Sequence, residues 1–192
     1  LGDVYKRQNQ DVSKVITGRL GPSALIGIQA VLIGLAIGLI LGILAAWKHN
    51  SGIDYFTMIL AVLGVSVPNF VAAALLQYYI GLKWGVLPVG FWTGWNCSVL
   101  PSIALSFSAT AMVARFMRTE MLDVLDQDYI VTARAKGLSQ MKVLMRHAVR
   151  NSILPVVTIL GPIVVNLMTG SLAVENIFSI PCLLYTSDAA DD

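Results

Sequence analysis

The stretch that decides the fold runs from Leu20 to Trp47, LGPSALIGIQAVLIGLAIGLILGILAAW, with no charged side chain in it. A helix that crosses the bilayer's hydrocarbon core of about 30 Å needs about 20 such residues. Inside this stretch Ala30, Gly34, Gly38, Gly42 and Ala46 recur at every fourth position. On a helix they line up as one narrow stripe of small residues, a doubled GxxxG that lets a second backbone come close. The reading is a membrane helix packed against a partner helix.

Working outward, uncharged stretches recur at Tyr55–Leu82, Trp84–Ala114 and Asn151–Val174. The middle one is too long for a single span. Trp92, Gly94, Trp95 and Asn96 in its first half read as an interfacial aromatic loop, which leaves a span over about 99–117. Four spans result, at about 20–47, 55–82, 99–117 and 151–174. Composition agrees: 56% of the 192 residues are hydrophobic and 12% charged, with a mean hydropathy of +0.74. Soluble domains carry about 25% charged residues, so neither a soluble enzyme nor a disordered chain fits. A net charge of +2 without a Lys/Arg run gives no nucleic-acid footprint. Cys97 and Cys182 stand far apart and outside any metal-ligand spacing. Leu1–Arg19 is polar and lacks the apolar core of a signal peptide.

Orientation follows from the basic residues. Arg115, at the end of the third span, and Arg118, Arg134, Lys136, Lys142, Arg146 and Arg150 after it all precede the fourth span, and Lys48 lies between the first and second. That side is expected to be cytoplasmic, which puts the Trp84–Ser98 loop and Glu175 outside. Tyr78, Tyr79, Trp84, Trp92 and Trp95 then cluster at the outer boundary. Pro68, followed by Asn69, and the Gly161–Pro162 pair remove helical hydrogen bonds at membrane depth, which is tolerated where protein or a wet cavity re-satisfies the backbone. Asn166, Thr169 and Ser171 are polar at or near membrane depth. They are candidates to line a solute path, with interhelical hydrogen bonding as the plainer role.

The segment from Arg118 to Pro155, RTEMLDVLDQDYIVTARAKGLSQMKVLMRHAVRNSILP, is much longer than a turn. Asp128 is expected to cap a short helix reaching Lys136, with its carboxylate at the positive end of the helix dipole. Gly137 suits the left-handed position that ends such a helix, and Ser139 can cap the next. That second helix would place Leu138, Met141, Leu144 or Met145, and Ala148 on one face, with Lys142, Arg146 and Arg150 around the other. Amphipathic helices beside a membrane often lie on the lipid surface. The small residues Ala133 and Ala135 suit insertion into a groove on another protein instead. Composition alone leaves both open.

This loop resembles the cytoplasmic EAA loop of ABC-transporter permease subunits in the form carried by peptide-type importers. The matching residues are Asp128-Tyr129, Thr132-Ala133-Arg134-Ala135-Lys136-Gly137-Leu138, Arg146-His147-Ala148, Arg150-Asn151 and Leu154-Pro155. The likeness extends to Leu63-Gly64, Val67-Pro68, Phe70, Leu87-Pro88, Leu100-Pro101, Gly161-Pro162, Gly170-Ser171, Glu175, Phe178 and Pro181. It covers about Asn9–Pro181 and is similar to the B-type subunit of the dipeptide/oligopeptide (peptide/nickel) importer family. The glutamate that names the loop elsewhere is absent, with Val131 or Thr132 in its place. Members of the family usually have six spans. Leu1–Gln8 and Cys182–Asp192 do not continue the pattern and are expected to be non-native tails on a transmembrane domain of 9–181.

The resemblance implies an all-α, polytopic integral membrane bundle in the bacterial or archaeal cytoplasmic membrane. It implies a permease working with a second permease subunit of C type, two cytoplasmic ATPase subunits and an extracytoplasmic solute-binding protein. The coupling residues would be Asp128, Tyr129, Thr132, Ala133, Arg134, Ala135, Lys136, Gly137 and Leu138, within a loop of about 118–150. No GxxxxGK[ST] phosphate loop occurs, so ATP and Mg are expected in the partner, with no cofactor, metal or catalytic residue in this chain. Di- or oligopeptides are the expected solute, while nickel and oligosaccharides belong to the same permease type. An ATP-independent carrier or channel is the alternative, but charged ion sites within the spans and inverted repeats are not evident. A membrane-embedded enzyme would need clustered ionisable groups, and His49 and His147 both fall outside the spans. Glu175 could meet the binding protein or solute, or be a helix-end carboxylate with a structural partner.

Overall fold

A computed structural model of the chain describes residues 12–90, 95–169 and 172–180. Trp92, Gly94, Gly170, Ser171, Pro181 and both expected tails lie outside the described residues. Eight helices follow in order: α1 (Val12–Trp47), α2 (Gly52–Ser66), α3 (Asn69–Leu76), α4 (Asn96–Leu125), α5 (Asp128–Ala135), α6 (Gln140–Val143), α7 (Arg150–Thr169) and α8 (Leu172–Ile177). Residues Gln77–Lys83 continue α3 as a π-helical segment, and Leu144–Val149 join α6 to α7 in the same way. Among the described residues, three helical segments are long and apolar enough to cross a membrane, Gly21–Trp47, Asn96–Leu125 and Gln140–Leu167. A fourth is present if α2 and the α3 segment count as one broken span. The break falls at Val67–Pro68. Val67 is extended at φ −80°, ψ 119°, as expected of a residue whose helical conformation the following proline disfavours. Pro101, Pro155 and Pro162, by contrast, sit within continuous helices.

The chain forms two compact units, residues 1–30, 69–105 and 166–192, and residues 31–68 and 106–165. In the first, Ser102 donates to the side-chain oxygen of Gln29 at 2.9 Å and to the Ile26 carbonyl at 3.3 Å. Gln77 donates to the carbonyls of Val89 and Ile177 at 2.6 and 2.9 Å, fastening the loop after α3 to α8. Glu175 is buried at 3% exposure.

The second unit holds the partner of the small-residue stripe. It is α4 of the same chain. A Cβ added to Gly34 would meet the Ala109 Cβ at 2.6 Å, one at Gly38 the Val113 Cβ at 2.8 Å, and one at Gly42 the Ala114 carbonyl oxygen at 2.6 Å. Ala30 and Ala46, which extend the stripe, are buried as well. The rest of α1 turns large apolar side chains outward, including Ile28, Leu32, Ile37, Ile40 and Leu44. Small residues inside and large ones outside are what a lipid solvent favours, because close backbone packing holds the helices together there.

Candidate functional site

The loop after α4 is an ordered structure with a small core of its own. Ile130 and Ala133 of α5 pack with Val143 of α6, and Val124 and Leu125 at the end of α4 cover them. Ile130 and Val143 are almost completely buried, so the loop is fastened to the helix that precedes it. Asn151 at the start of α7 donates to the Tyr129 hydroxyl at 3.0 Å, and the Thr132 hydroxyl donates to the Asp128 carbonyl.

The turn between α5 and α6 rests on Gly137. Its φ is +78°, where a Cβ is strained. Its N–H donates to the Arg134 carbonyl at 2.9 Å, and that of Leu138 to the Ala133 carbonyl at 3.4 Å. This pair of bonds is a Schellman motif, which satisfies carbonyls the helix end would otherwise leave open. Ser139 occupies the next N-cap position, although its side chain makes no capping bond.

Three details depart from expectation. The N-cap of α5 is Gln127, with extended backbone at ψ 146°. Asp128 is the first helical residue, where its charge still faces the helix dipole favourably. Second, Ala133 faces the loop's own core, whereas Ala135 is exposed, so the two alanines do different work. Third, Met141 and Met145 are exposed while Val143, Leu144 and Ala148 are buried. The π-helical segment at Leu144–Val149 widens the turn and moves the buried face off the 3.6-residue period. The exposed side of the loop is thus Tyr129, Val131, Thr132, Arg134, Ala135, Lys136, Leu138 and Met141. Of the expected path residues, Asn166 is exposed on α7, Thr169 ends that helix and Ser171 lies outside the described residues.

A second cluster escaped the sequence reading. Asp54, in the first turn of α2, has a side chain only 3% exposed, and it accepts from Arg118 Nε at 2.6 Å and Nη2 at 2.7 Å. The Asn50 N–H reaches the same carboxylate at 3.0 Å, from a left-handed residue with φ 59°. His49 Nδ1 lies 3.2 Å from both Asp54 and Arg118. Both charged residues fall just outside the apolar stretches 55–82 and 99–117. Arg118, the Asn50 N–H and His49 thus converge on one carboxylate, which ties the turn before α2 to α4. Ser51-Gly52-Ile53-Asp54 has the spacing of a capping box, but Ser51 makes no capping bond and Asp54 accepts from Asn50 and Arg118 instead. Among the described residues no three His, Cys, Asp or Glu side chains converge to hold a metal.

Membrane-length helices packed along a glycine stripe, with an ordered charged loop outside the apolar stretches, define a polytopic integral membrane protein. The chain belongs to the family described as the binding-protein-dependent transport system inner membrane component, which it matches over residues 38–189. It is 43% identical over 181 residues to the dipeptide transport system permease protein of Lactococcus lactis, covering 94% of this chain and 60% of the relative. The dipeptide permease of Bacillus subtilis is 42% identical, with 94% and 59% covered. The oligopeptide transport system permease protein of Salmonella typhimurium is 38% identical, with 94% and 60% covered. The chain thus spans about three fifths of the length of these relatives. A crystal structure of an amino acid ABC transporter with histidines has the same fold, with a TM-score of 0.71 at 18% identity over 92% of this chain and 78% of that one.

Proposed function

We propose that this chain is a transmembrane permease subunit of an ATP-driven, binding-protein-dependent importer of di- or oligopeptides. The segment Asp128–Leu138 docks on a separate cytoplasmic ATPase. The observation that carries this reading is the construction of that segment. Ile130 and Ala133 anchor it to the end of α4, while Tyr129, Val131, Arg134, Ala135 and Lys136 stay exposed. A short helix fixed on one side and bare on the other suits a partner's groove. Its attachment to α4 carries the partner's movement into the spans as a rigid-body rearrangement. ATP and Mg are bound by the ATPase, a second permease subunit completes the channel, and an external binding protein supplies the solute. Asn166 and Thr169 of α7 are proposed to border the path.

Ala135→Trp and Ala133→Trp test this in the assembled importer. Ala135 is exposed, so the tryptophan is expected to leave the permease folded while abolishing co-purification with the ATPase and uptake of a labelled dipeptide. Ala133 is buried, so its tryptophan is expected to disrupt the loop itself. Normal ATPase association and uptake in Ala135→Trp contradict the docking assignment. Uptake that persists with a hydrolysis-dead ATPase contradicts the importer reading.

A further inference from the structure

The Asp54–Arg118 ion pair joins the first turn of α2 to α4. The carboxylate is buried and the guanidinium half-buried; desolvating such a pair is costly, and well-packed apolar residues often serve stability as well. What such a pair adds is geometry. A bidentate fork fixes both direction and distance, and here the contacts are 2.6 and 2.7 Å. The carboxylate is further pinned by the Asn50 N–H at 3.0 Å, so the turn before α2 moves with it.

The location gives this rigidity a use. On α4, Arg118 follows Met117, the residue that meets Gly42 of α1. It precedes Leu125, which covers the loop's core, by two helical turns, or about 10 Å. This end of α4 is therefore held by α1 through glycine contacts, by α2 through the ion pair, and by α5 and α6 through the apolar cluster.

We propose that Asp54 and Arg118 are a positioning pair. They lock the first turn of α2 to the end of α4, so that displacement of the docked loop moves α1, α2 and α4 together instead of bending α4 alone. The inference rests on the docking assignment above and concerns how the movement is transmitted.

The test is the number of ATP molecules hydrolysed per solute transported, measured with the assembled importer in proteoliposomes. Arg118→Lys keeps the charge and loses the fork, and Asp54→Asn keeps the shape and loses the charge. Both are expected to co-purify with the ATPase in wild-type amounts and to hydrolyse ATP. Both should raise the ATP cost per solute at least 5-fold, because closure of the ATPase is no longer passed to the spans. The swap Asp54→Arg with Arg118→Asp is expected to recover part of the coupling. A purely structural pair would lower hydrolysis and uptake in proportion. An unchanged ratio in Arg118→Lys overturns the proposal even if Asp54→Asn fails to accumulate. Wild-type protein that binds no ATPase would instead overturn the docking assignment beneath it.

Discussion

Replacing Gly42 by alanine probes the contact on which the membrane core depends. The new Cβ would lie 2.6 Å from the Ala114 carbonyl oxygen and 2.8 Å from the Met117 Cβ. The first is backbone and cannot swing aside. Atoms in contact settle at about 3.5–4.0 Å, so α1 and α4 must part there by roughly 1 Å. Overpacking of this kind costs about 1–3 kcal/mol. Gly64→Ala is the matched control, because it is also inside a helix facing α4, yet its Cβ would meet Ala111 and Phe107 at 3.2 Å. The general gain from replacing a helical glycine is common to both, so their difference isolates the steric effect. Gly52, with nothing within 4 Å of its added Cβ, is the open reference. At about 2–4 °C per kcal/mol for a chain of this size, Gly42→Ala is expected to unfold several degrees below Gly64→Ala in detergent, with Gly52→Ala highest. Equal midpoints for Gly42→Ala and Gly52→Ala would refute the reasoning.

Two further predictions concern the loop. Gly137→Ala places a side chain at φ +78°, a penalty of about 1–2 kcal/mol. Hydrogen exchange at the Leu138 amide should accelerate roughly 5–30-fold, whereas Gly137→Asn should exchange more slowly than Gly137→Ala, since asparagine tolerates this conformation. Ile130→Ala removes a fully buried side chain at a cost of about 2–5 kcal/mol. Trypsin should then cut faster after the exposed Arg134 and Lys136, and an unchanged cleavage rate would show that the cluster does not hold the loop.

Short-range and periodic features were legible in the sequence. The small-residue stripe from Ala30 to Ala46 was visible because a helix repeats its faces, and Gly137 because a helix end needs a left-handed residue. What the sequence concealed depended on distant or irregular geometry. Asp54 and Arg118 are 64 positions apart, and nothing local says that they meet. In the Gln140–Val149 segment Leu144 and Ala148 are buried as the sequence suggests, but Val143 joins them in place of Met141 and Met145, and a π-helical segment begins at Leu144. Ala133 and Ala135 look alike in the sequence, and only the position of Val143 separates the anchored residue from the exposed one. The partner of the glycine stripe proved to be α4, in the same chain, a pairing that periodicity cannot supply.

Contact of Asp128–Leu138 with the ATPase underlies the proposed coupling. A single cysteine at Ala135, in the assembled importer with Cys97 and Cys182 replaced, tests this contact, with one at Leu154 of α7 as the comparison because that residue is 72% exposed on an apolar helix. A short thiol cross-linker is expected to join residue 135 to the ATPase subunit and to leave residue 154 free of it. Cross-linking at 154 with none at 135 would contradict it.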